Sequence, residues 1–501
     1  MATGRGRLLQ RQWLGLQELR LPLGGFGAAP GSDGFRSGPG IEAGASSAPG
    51  EQHARPEGPR GSPCSDCPAW LDSMPSEVLL QILSYLDAAA LLCVGCVNRR
   101  FYHLANDNFI WIRIYSSAFS LKRYNWRVDA VEETAESVNL LSVEDTEAGY
   151  WKKEYIIKQI SSLKEALVPV LKPVNQYTGL PAKTKEALRM SGLGWVIILE
   201  EKSGKEYIME HVDLYMNDSS VTIVWYGKNW PCLTTLSTLD LCGVTPVFRD
   251  WPKPPTKNAP RWRSLVARYS LSDIADSTAI GCDRLVRIFR LDPGLLVGLW
   301  KRKEELAFVM ANLHVHHLVE RSILGSAIVP YELLPQARLL DDSPGYGLHG
   351  YQLHVDMHSS GVFHLCSTFH NLFTNKGCIE NGRVKLTVIH FQNSTEHLPL
   401  VGEVGLSWRT DIADGCVKSC SIMDVTVLDE YGKPFWCFSS PVCMRASPRP
   451  PDDPHFVGQT SCIDCTDTAG ALHMELAWIK ETEEHFVVSL VLFLGLAGVG
   501  R

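Results

Sequence analysis

The sequence predicts an α+β multidomain protein with a disordered N-terminal tail, a small helical unit with a helical extension, and a β-rich C-terminal body. Three observations lead to this prediction. Residues 1–70 hold 14 of the 41 glycines and 8 of the 29 prolines. Apolar residues then recur at helical spacing to about Arg189, and from Trp195 the period becomes that of short strands. We therefore predict boundaries at 1–70, 71–118, 119–190 and 191–499.

The overall composition is that of an ordinary soluble chain. Of the 501 residues, 45% are hydrophobic and 21% are charged, and the net charge is −7. This charge gives no sign of a nucleic-acid or anionic-membrane binder. The longest apolar run, Phe486 to Val499, is shorter than the roughly 20 residues that span a bilayer, so we expect a buried strand there and no membrane anchor.

The cysteine content bears on the compartment. The fifteen cysteines are scattered along a long chain, unlike those of a disulfide-rich secreted scaffold. No secretory signal peptide is expected, because no apolar run follows the first basic residues. We expect free thiols and a cytoplasmic and/or nuclear location. The segment from Arg7 to Leu23 is basic and somewhat amphipathic, and it suits either a targeting segment or a tail with a transient helix.

The helical unit, Met74 to Trp111, has more apolar surface than it can bury by itself. Its first helix is predicted from Val78 to Leu86, with apolar residues over an arc of roughly 220°, whereas a one-sided helix needs about 100°. One face can pack on the neighbouring apolar residues, Leu91, Leu92, Phe101 and Leu104. This unit is shorter than about 40 residues, and a domain of that size usually needs a disulfide, a metal or a partner to be stable. Either the rest of the chain or another protein must cover the second face.

The same segment resembles an F-box. It has an opening Leu/Met-Pro-x-Glu, a Leu-x-x-Ile-x-x-x-Leu helix, a Leu-Leu pair, a Val-x-Arg-Arg and a closing Trp, all without a gap. The matching residues are Met74, Pro75, Ser76, Glu77, Leu79, Ile82, Leu86, Leu91, Leu92, Val97, Arg99, Arg100 and Trp111. The departures are Met74 for Leu, Asn98 for Cys and Phe101 for Trp, and each is compatible with a helical unit. The match covers under a tenth of the chain.

The resemblance implies a function. F-box proteins dock on the Skp adaptor of a Skp–cullin–F-box ubiquitin ligase, and the rest of the chain holds a protein substrate. By this resemblance, the residues that form or brace the adaptor-binding surface would be Pro75, Glu77, Leu79, Ile82, Leu86, Leu91, Val97 and Trp111. The chain would then be a non-catalytic adaptor that acts by proximity, and its substrate is not identified.

The helical extension and the β-rich body follow from periodicity. Ile156, Ile160, Leu163 and Leu167 share one helix face, and the helix is predicted to end before Pro169. Beyond Trp195, hairpin patterns repeat to the C terminus and predict an antiparallel sandwich-like or barrel-like body. They are interrupted by a predicted loop from Asp250 to Arg263, where four prolines disfavour regular structure.

Two rival patterns suggest metal chemistry. The Cys-x-x-Cys pairs are Cys64/Cys67, Cys93/Cys96 and Cys462/Cys465. We expect Cys93 and Cys96 to pack as small hydrophobes on a helix. Among the histidines, His354, Asp356 and His358 share one face of a predicted strand, and so do His314 and His316. These are metal-compatible side chains, but we expect solvent-facing polar surfaces, with no metal and no cofactor. The alternative function is a metal- or ligand-binding β-domain protein whose helical segment is an internal cap.

Overall fold

The computed structural model describes residues 74–119, 147–227, 229–248, 260–272, 274, 279–303, 305–332, 348–380, 383–447, 460–467, 469–480 and 482–495. The predicted disordered tail, the segment from Arg7 to Leu23, the Cys64/Cys67 pair and most of 119–146 lie outside these residues. Residue contacts divide the chain into two compact units that meet in sequence between Lys152 and Lys153. The predicted four-part division of the chain stays a prediction.

The first unit is a set of short helices. They are α1 (Ser76–Leu83), α2 (Ala88–Val94), α3 (Arg99–Ala105), α4 (Asn108–Phe119) and the beginning of α5 (Tyr150–Leu171). Side-chain caps fix where three of them begin, because each cap satisfies backbone N–H groups that have no partner inside the helix. Asp87 accepts from the Ala90 N–H at 2.7 Å, and Asn98 accepts from the Phe101 N–H at 2.8 Å. Asp107 accepts from the N–H groups of Phe109 and Ile110 in the same way.

The helices of this unit enclose a small apolar core. Leu79 and Leu83 of α1 are buried, as are Leu91 and Leu92 of α2. Trp111 on α4 is fully buried, and its indole N–H donates to the Ala105 carbonyl at 2.7 Å. The Arg100 guanidinium donates to the Met74 carbonyl and so ties α3 to the beginning of α1.

The second unit opens with the remainder of α5, which corrects one prediction. The helix runs to Leu171 and includes Pro169, whereas we expected it to end before that proline. Pro169 lies in the last turn, where the ring removes a single backbone hydrogen bond on the exposed side. The predicted helix face is otherwise found: Ile156, Ile160 and Leu167 are buried, and Leu163 is half-buried.

The rest of the second unit is a strand-rich antiparallel body, as predicted. The first sheet has the order β2 (Glu206–Glu210), β1 (Gly194–Glu201), β5 (Leu236–Pro246), β6 (Arg261–Ser270). The second has the order β3 (Asp213–Met216), β4 (Ser220–Tyr226), β10 (Leu306–His314), β9 (Leu295–Trp300), β8 (Val286–Leu291), β7 (Gly281–Cys282). Helices α6 (Thr184–Ser191) and α7 (Val315–Ile323) belong to this unit.

Two further sheets follow along the chain. The third has the order β12 (Val362–Leu372), β11 (Tyr351–Ser359), β18 (Cys420–Leu428), β19 (Pro434–Cys443). The fourth has the order β13 (Ile379–Glu380), β14 (Arg383–Ile389), β23 (Glu484–Gly495), β22 (Gly470–Ile479), β21 (Thr460–Thr466), β20 (Arg445–Ala446), with β15 (Leu398–Pro399) also paired to β23. The strands β16 (Gly405–Arg409) and β17 (Asp414–Lys418) form a separate hairpin.

A large apolar core lies between the third and fourth sheets. Leu353, Val355 and Met357 of β11 point into it, and they meet residues of the fourth sheet such as Leu386 and Leu490. This is face-to-face packing of two sheets. Residues Phe486 to Gly495 of the C-terminal run belong to β23 of this core, which confirms the prediction of a buried strand for the described part of the run. Among the described helices, none is both long and apolar enough to cross a bilayer.

Two local predictions in the body are wrong. His314 and His316 were expected on one strand face, but β10 ends at His314 and α7 begins at Val315. His314 instead caps α7, with its Nδ1 accepting from the His316 N–H at 3.3 Å. The loop predicted from Asp250 to Arg263 ends earlier, because β6 begins at Arg261, directly after the last proline of the segment.

Candidate functional site

Five large apolar side chains are exposed among residues 74–119 and 147–152, the described part of the first unit. We call them the helical apolar surface: Val78 (43% exposed), Ile82 (45%), Tyr85 (79%), Val97 (68%) and Phe109 (65%). Single exposed apolar residues are common on proteins. Five of them in so short a described segment, two on one stripe of α1, favour an interaction site. The side chains of this surface would therefore become buried if another molecule bound here.

Helix α1 has the two faces that its sequence predicts. Leu79 and Leu83, four residues apart, are buried, while Val78 and Ile82, also four apart, are exposed. Residues at this spacing lie one above the other on a helix, so each pair forms its own stripe. The helix is shorter than predicted: it ends at Leu83, and Tyr85 and half-buried Leu86 lie in the turn that follows.

The eight residues predicted for adaptor binding divide by exposure. Pro75, Glu77, Ile82 and Val97 are exposed, and Leu86 is half-buried. Leu79, Leu91 and Trp111 are buried, at 1%, 0% and 0% exposure. The exposed residues are in a position to touch a partner, whereas the buried ones brace the helices beneath them. Their role in binding stays a prediction.

The prediction missed part of this surface. Val78 and Tyr85 were in the apolar arc of the first helix but were not among the residues carried over from the family. Phe109 had no sequence signal, because a single aromatic after a helix cap is equally typical of a core residue. Its exposure follows from α4, where Ile110 and Trp111 take the buried positions.

Cys93 and Cys96 do not pack in the core, which corrects another prediction. Both are exposed, since Ala88, Leu91 and Leu92 take the buried positions of α2 and Cys96 follows the helix end. The Cys96 thiol donates to the Leu92 carbonyl at 3.4 Å. In the described part of the chain, neither cysteine belongs to a cluster of potential metal ligands.

Comparison with known proteins identifies the first unit. Residues 71–117 match the family model described as F-box-like. The human protein named F-box only protein 15 is 66% identical to the chain over 504 residues, which covers 100% of this chain and 99% of that protein. The chain belongs to the F-box only protein 15 family. The Macaca fascicularis member is 72% identical over 85% of this chain, and the Mus musculus member is 54% identical over 85%.

Membership in the F-box family carries a general functional statement. F-box proteins are generally non-catalytic adaptors, and the family suggests a substrate receptor of a ubiquitin ligase with a Skp-type adaptor as its partner. The matched range, 71–117, contains all five residues of the helical apolar surface. Family and exposed surface therefore converge on the same residues.

The second unit contains a different unusual feature, a buried polar layer on the third sheet. His354, Asp356 and His358 of β11 were expected to face solvent, but they are only 3%, 2% and 2% exposed. The prediction was wrong because β4 and the turn before it lie over this face. Ser219 donates to the Asp356 carboxylate, and Ser220 donates to Asp424 of β18 at 2.6 Å. We call the buried His354, Asp356, His358 and Asp424 the polar seam.

An ion pair lies at the centre of the polar seam. His358 Nε2 lies 2.8 Å from the Asp424 carboxylate, which also accepts from Ser439 at 2.5 Å. Burial by itself raises the pKa of Asp424, but the charge and hydrogen bond of His358 outweigh it and hold that pKa below its usual value. Burial likewise lowers the pKa of His358, and Asp424 more than compensates, so the pKa is raised. Each partner stabilises the charged form of the other.

Proposed function

We propose that this chain is the substrate-recognition subunit of a Skp–cullin–F-box ubiquitin ligase. Its F-box docks on the Skp adaptor and through it on the cullin, and its β-rich body presents a bound protein for ubiquitination. The observation that carries the proposal is the helical apolar surface on the unit that matches the F-box-like family. Each large apolar side chain that the adaptor buries contributes roughly 1.5–3 kcal/mol.

The chain itself contributes proximity. Holding a substrate lysine near the charged ubiquitin-conjugating enzyme raises its effective concentration without any bond chemistry by this subunit. We propose a cytoplasmic and/or nuclear location for this activity. The thirteen cysteines among the described residues are free thiols, which suits a reducing compartment.

Co-purification with the Skp adaptor tests the docking step. Ile82→Asp and Val97→Asp place charges on the helical apolar surface without touching the core, so both variants should fold and lose the adaptor. Val212→Asp is the matched control, because Val212 is a 49% exposed valine of the second unit. Adaptor binding that survives both F-box substitutions, or a wild-type chain that recovers no adaptor, would refute the proposal.

The receptor step has its own test. A chain with Ile82→Asp should still bind substrate through its β-rich body but should no longer deliver it to the ligase. Substrates should therefore accumulate in cells that carry this variant and co-purify with it in larger amounts than with the wild type. Proteins whose abundance and association do not differ between the two chains are not substrates.

A further inference from the structure

One end of the polar seam places three different metal-binding side chains side by side. His354 and Asp356 stand two residues apart on β11, and Cys366 of β12 is the direct cross-strand partner of Asp356. Residues in these positions project from the same face of a sheet. An imidazole nitrogen, a carboxylate oxygen and a thiol sulfur accordingly all lie within 4.8 Å of one another.

The distances suit a shared cation. His354 Nε2 lies 3.2 Å from Asp356 Oδ2. Two ligand atoms on one tetrahedral zinc, at bond lengths near 2.1 Å, stand about 3.4 Å apart. The imidazole and the carboxylate are therefore already at ligand spacing, and the Cys366 sulfur lies within 4.8 Å of both ligand atoms.

The Asp356 carboxylate provides a second, independent observation in favour of a bound cation. Its Oδ2 accepts from Ser219, but its Oδ1 is buried and has no hydrogen-bond partner among the described residues. Asp356 is 2% exposed, so water does not readily replace that partner. An unsatisfied buried carboxylate oxygen costs free energy, and a bound cation removes the cost.

A hydrogen bond to its second ring nitrogen holds His354 in place. His354 Nδ1 lies 2.7 Å from the Thr368 hydroxyl, which fixes the ring with Nε2 toward Asp356. Histidines that bind metals usually have their second ring nitrogen held by a hydrogen bond in this way. Thr368 is the cross-strand neighbour of His354, so the sheet register itself supplies the support.

We infer that His354, Asp356 and Cys366 form a zinc-binding site, with Thr368 as the supporting residue for the histidine. The mixture of imidazole, carboxylate and thiolate suits Zn²⁺, whereas Mg²⁺ and Ca²⁺ prefer oxygen ligands alone. The fourth position goes to water. The bound ion joins β11 to β12.

Binding of Zn²⁺ at this site replaces the proton of the Cys366 thiol. A cysteine thiol with no metal bound mostly holds its proton at neutral pH. Zn²⁺ forms a bond to the sulfur as the S–H bond breaks, and the proton leaves to solvent. The competing arrangement is a proton shared between His354 and Asp356 with no metal, and the two are separated by experiment.

The experiment uses the full chain, stripped with a chelator, dialysed, and titrated with Zn²⁺ against a chromophoric competitor. Wild type should take up one equivalent, and Cys366→Ser, a substitution at an exposed residue, should bind at least about 100-fold more weakly. Thr368→Val should weaken binding by about 10–100-fold, as loss of a supporting hydrogen bond does. With Co²⁺ in place of Zn²⁺, wild type should show a thiolate charge-transfer band that Cys366→Ser lacks.

Matched controls keep the assignment specific. His473→Gln removes a histidine that lies 2.7 Å from Asp464 and 3.5 Å from Glu475 elsewhere in the body, and Cys232→Ser removes another exposed thiol. Both should bind zinc like wild type. Wild type that binds less than one tenth of an equivalent, or a loss of binding in a control instead of in Cys366→Ser, would overturn the inference. Adaptor co-purification is a separate measurement, so this result and the docking result are distinguishable.

Discussion

The two units depart from ordinary burial in opposite directions. The F-box leaves Tyr85 79% exposed and Val97 68% exposed, whereas the β-rich body buries Asp356 and Asp424 at 2% and 1% exposure. Exposed apolar groups and buried polar groups are the informative exceptions in a folded protein. For the F-box, we propose that the Skp adaptor is the missing partner. In the body, the buried polar groups are mostly paired with other groups of the same chain. Disrupting the packing around the polar seam therefore costs free energy, because these pairs are lost.

The largest effect should come from separating the buried ion pair. Asp424→Leu leaves His358 without its carboxylate, and loss of one member of such a pair costs about 3–5 kcal/mol of unfolding free energy. The double variant Asp424→Leu/His358→Leu should be less destabilised than the sum of the two single variants, because no charge is left alone. Denaturant unfolding followed by tryptophan fluorescence measures all three. A loss below about 1 kcal/mol for the single variant would show that the pair is not buried.

A contrast within α1 comes next. Leu79→Ala removes a buried side chain and should cost about 2–5 kcal/mol, while Ile82→Ala on the neighbouring, exposed stripe should change stability by no more than about 0.5 kcal/mol. Amide hydrogen exchange over residues 76–105 reports this local stability in the intact chain. Ile82→Ala should nevertheless weaken adaptor binding. Equal exchange rates in the two variants would contradict the assignment of buried and exposed faces.

The histidines at the beginning of α7 should make the body sensitive to acid. Burial, and then the charge of Arg321, lower the pKa of His317 from 6.5 to about 4. Between those pH values the unfolded chain binds a proton that the folded chain does not, so stability falls as the pH drops from 6.5 to 4. His317→Gln should reduce the slope by up to about 1.4 kcal/mol per pH unit. His358, with its raised pKa, acts in the opposite direction: its contribution is complete below pH 6.5 and is lost as the pH rises. Unfolding midpoints at several pH values compare the variant with wild type, and parallel curves would reject the prediction.

The smallest effect concerns a helix cap. Asp87→Ala removes the acceptor for the Ala90 N–H at the beginning of α2 and should cost about 1 kcal/mol. Asp87→Asn keeps an acceptor oxygen and should lose much less. Hydrogen exchange at Ala90 and its neighbours is the measurement, and equal losses in the two variants would rule out the cap as the cause.

The F-box was predictable because its signal is local. The Met74-Pro75-Ser76-Glu77 opening, the spacing of Leu79 and Ile82, and the caps Asp87 and Asn98 all lie within a few residues of the groups they act on. The strand-rich body was predictable for the same reason, because an alternating pattern indicates a strand without saying what covers it.

The polar seam was not predictable, because its partners are distant in sequence. Asp356 meets Ser219, 137 positions away, and His358 meets Asp424, 66 positions away. An alternating polar pattern on β11 has the same form whether water or another sheet lies over it. Pro169 and His314 show a related limit: helix and strand ends depend on caps and packing that a periodic pattern does not contain.

The two faces of β11 also constrain how the chain folds. Leu353, Val355 and Met357 alternate with His354, Asp356 and His358, and both sets are buried. A slip of one residue in strand pairing would move every apolar side chain into the polar layer and every charged one into the apolar core. Both changes are unfavourable in a buried layer, so a misaligned hairpin loses free energy on both faces of the strand. The sequence of β11 therefore strongly favours one register, and alternative strand pairings should be unstable.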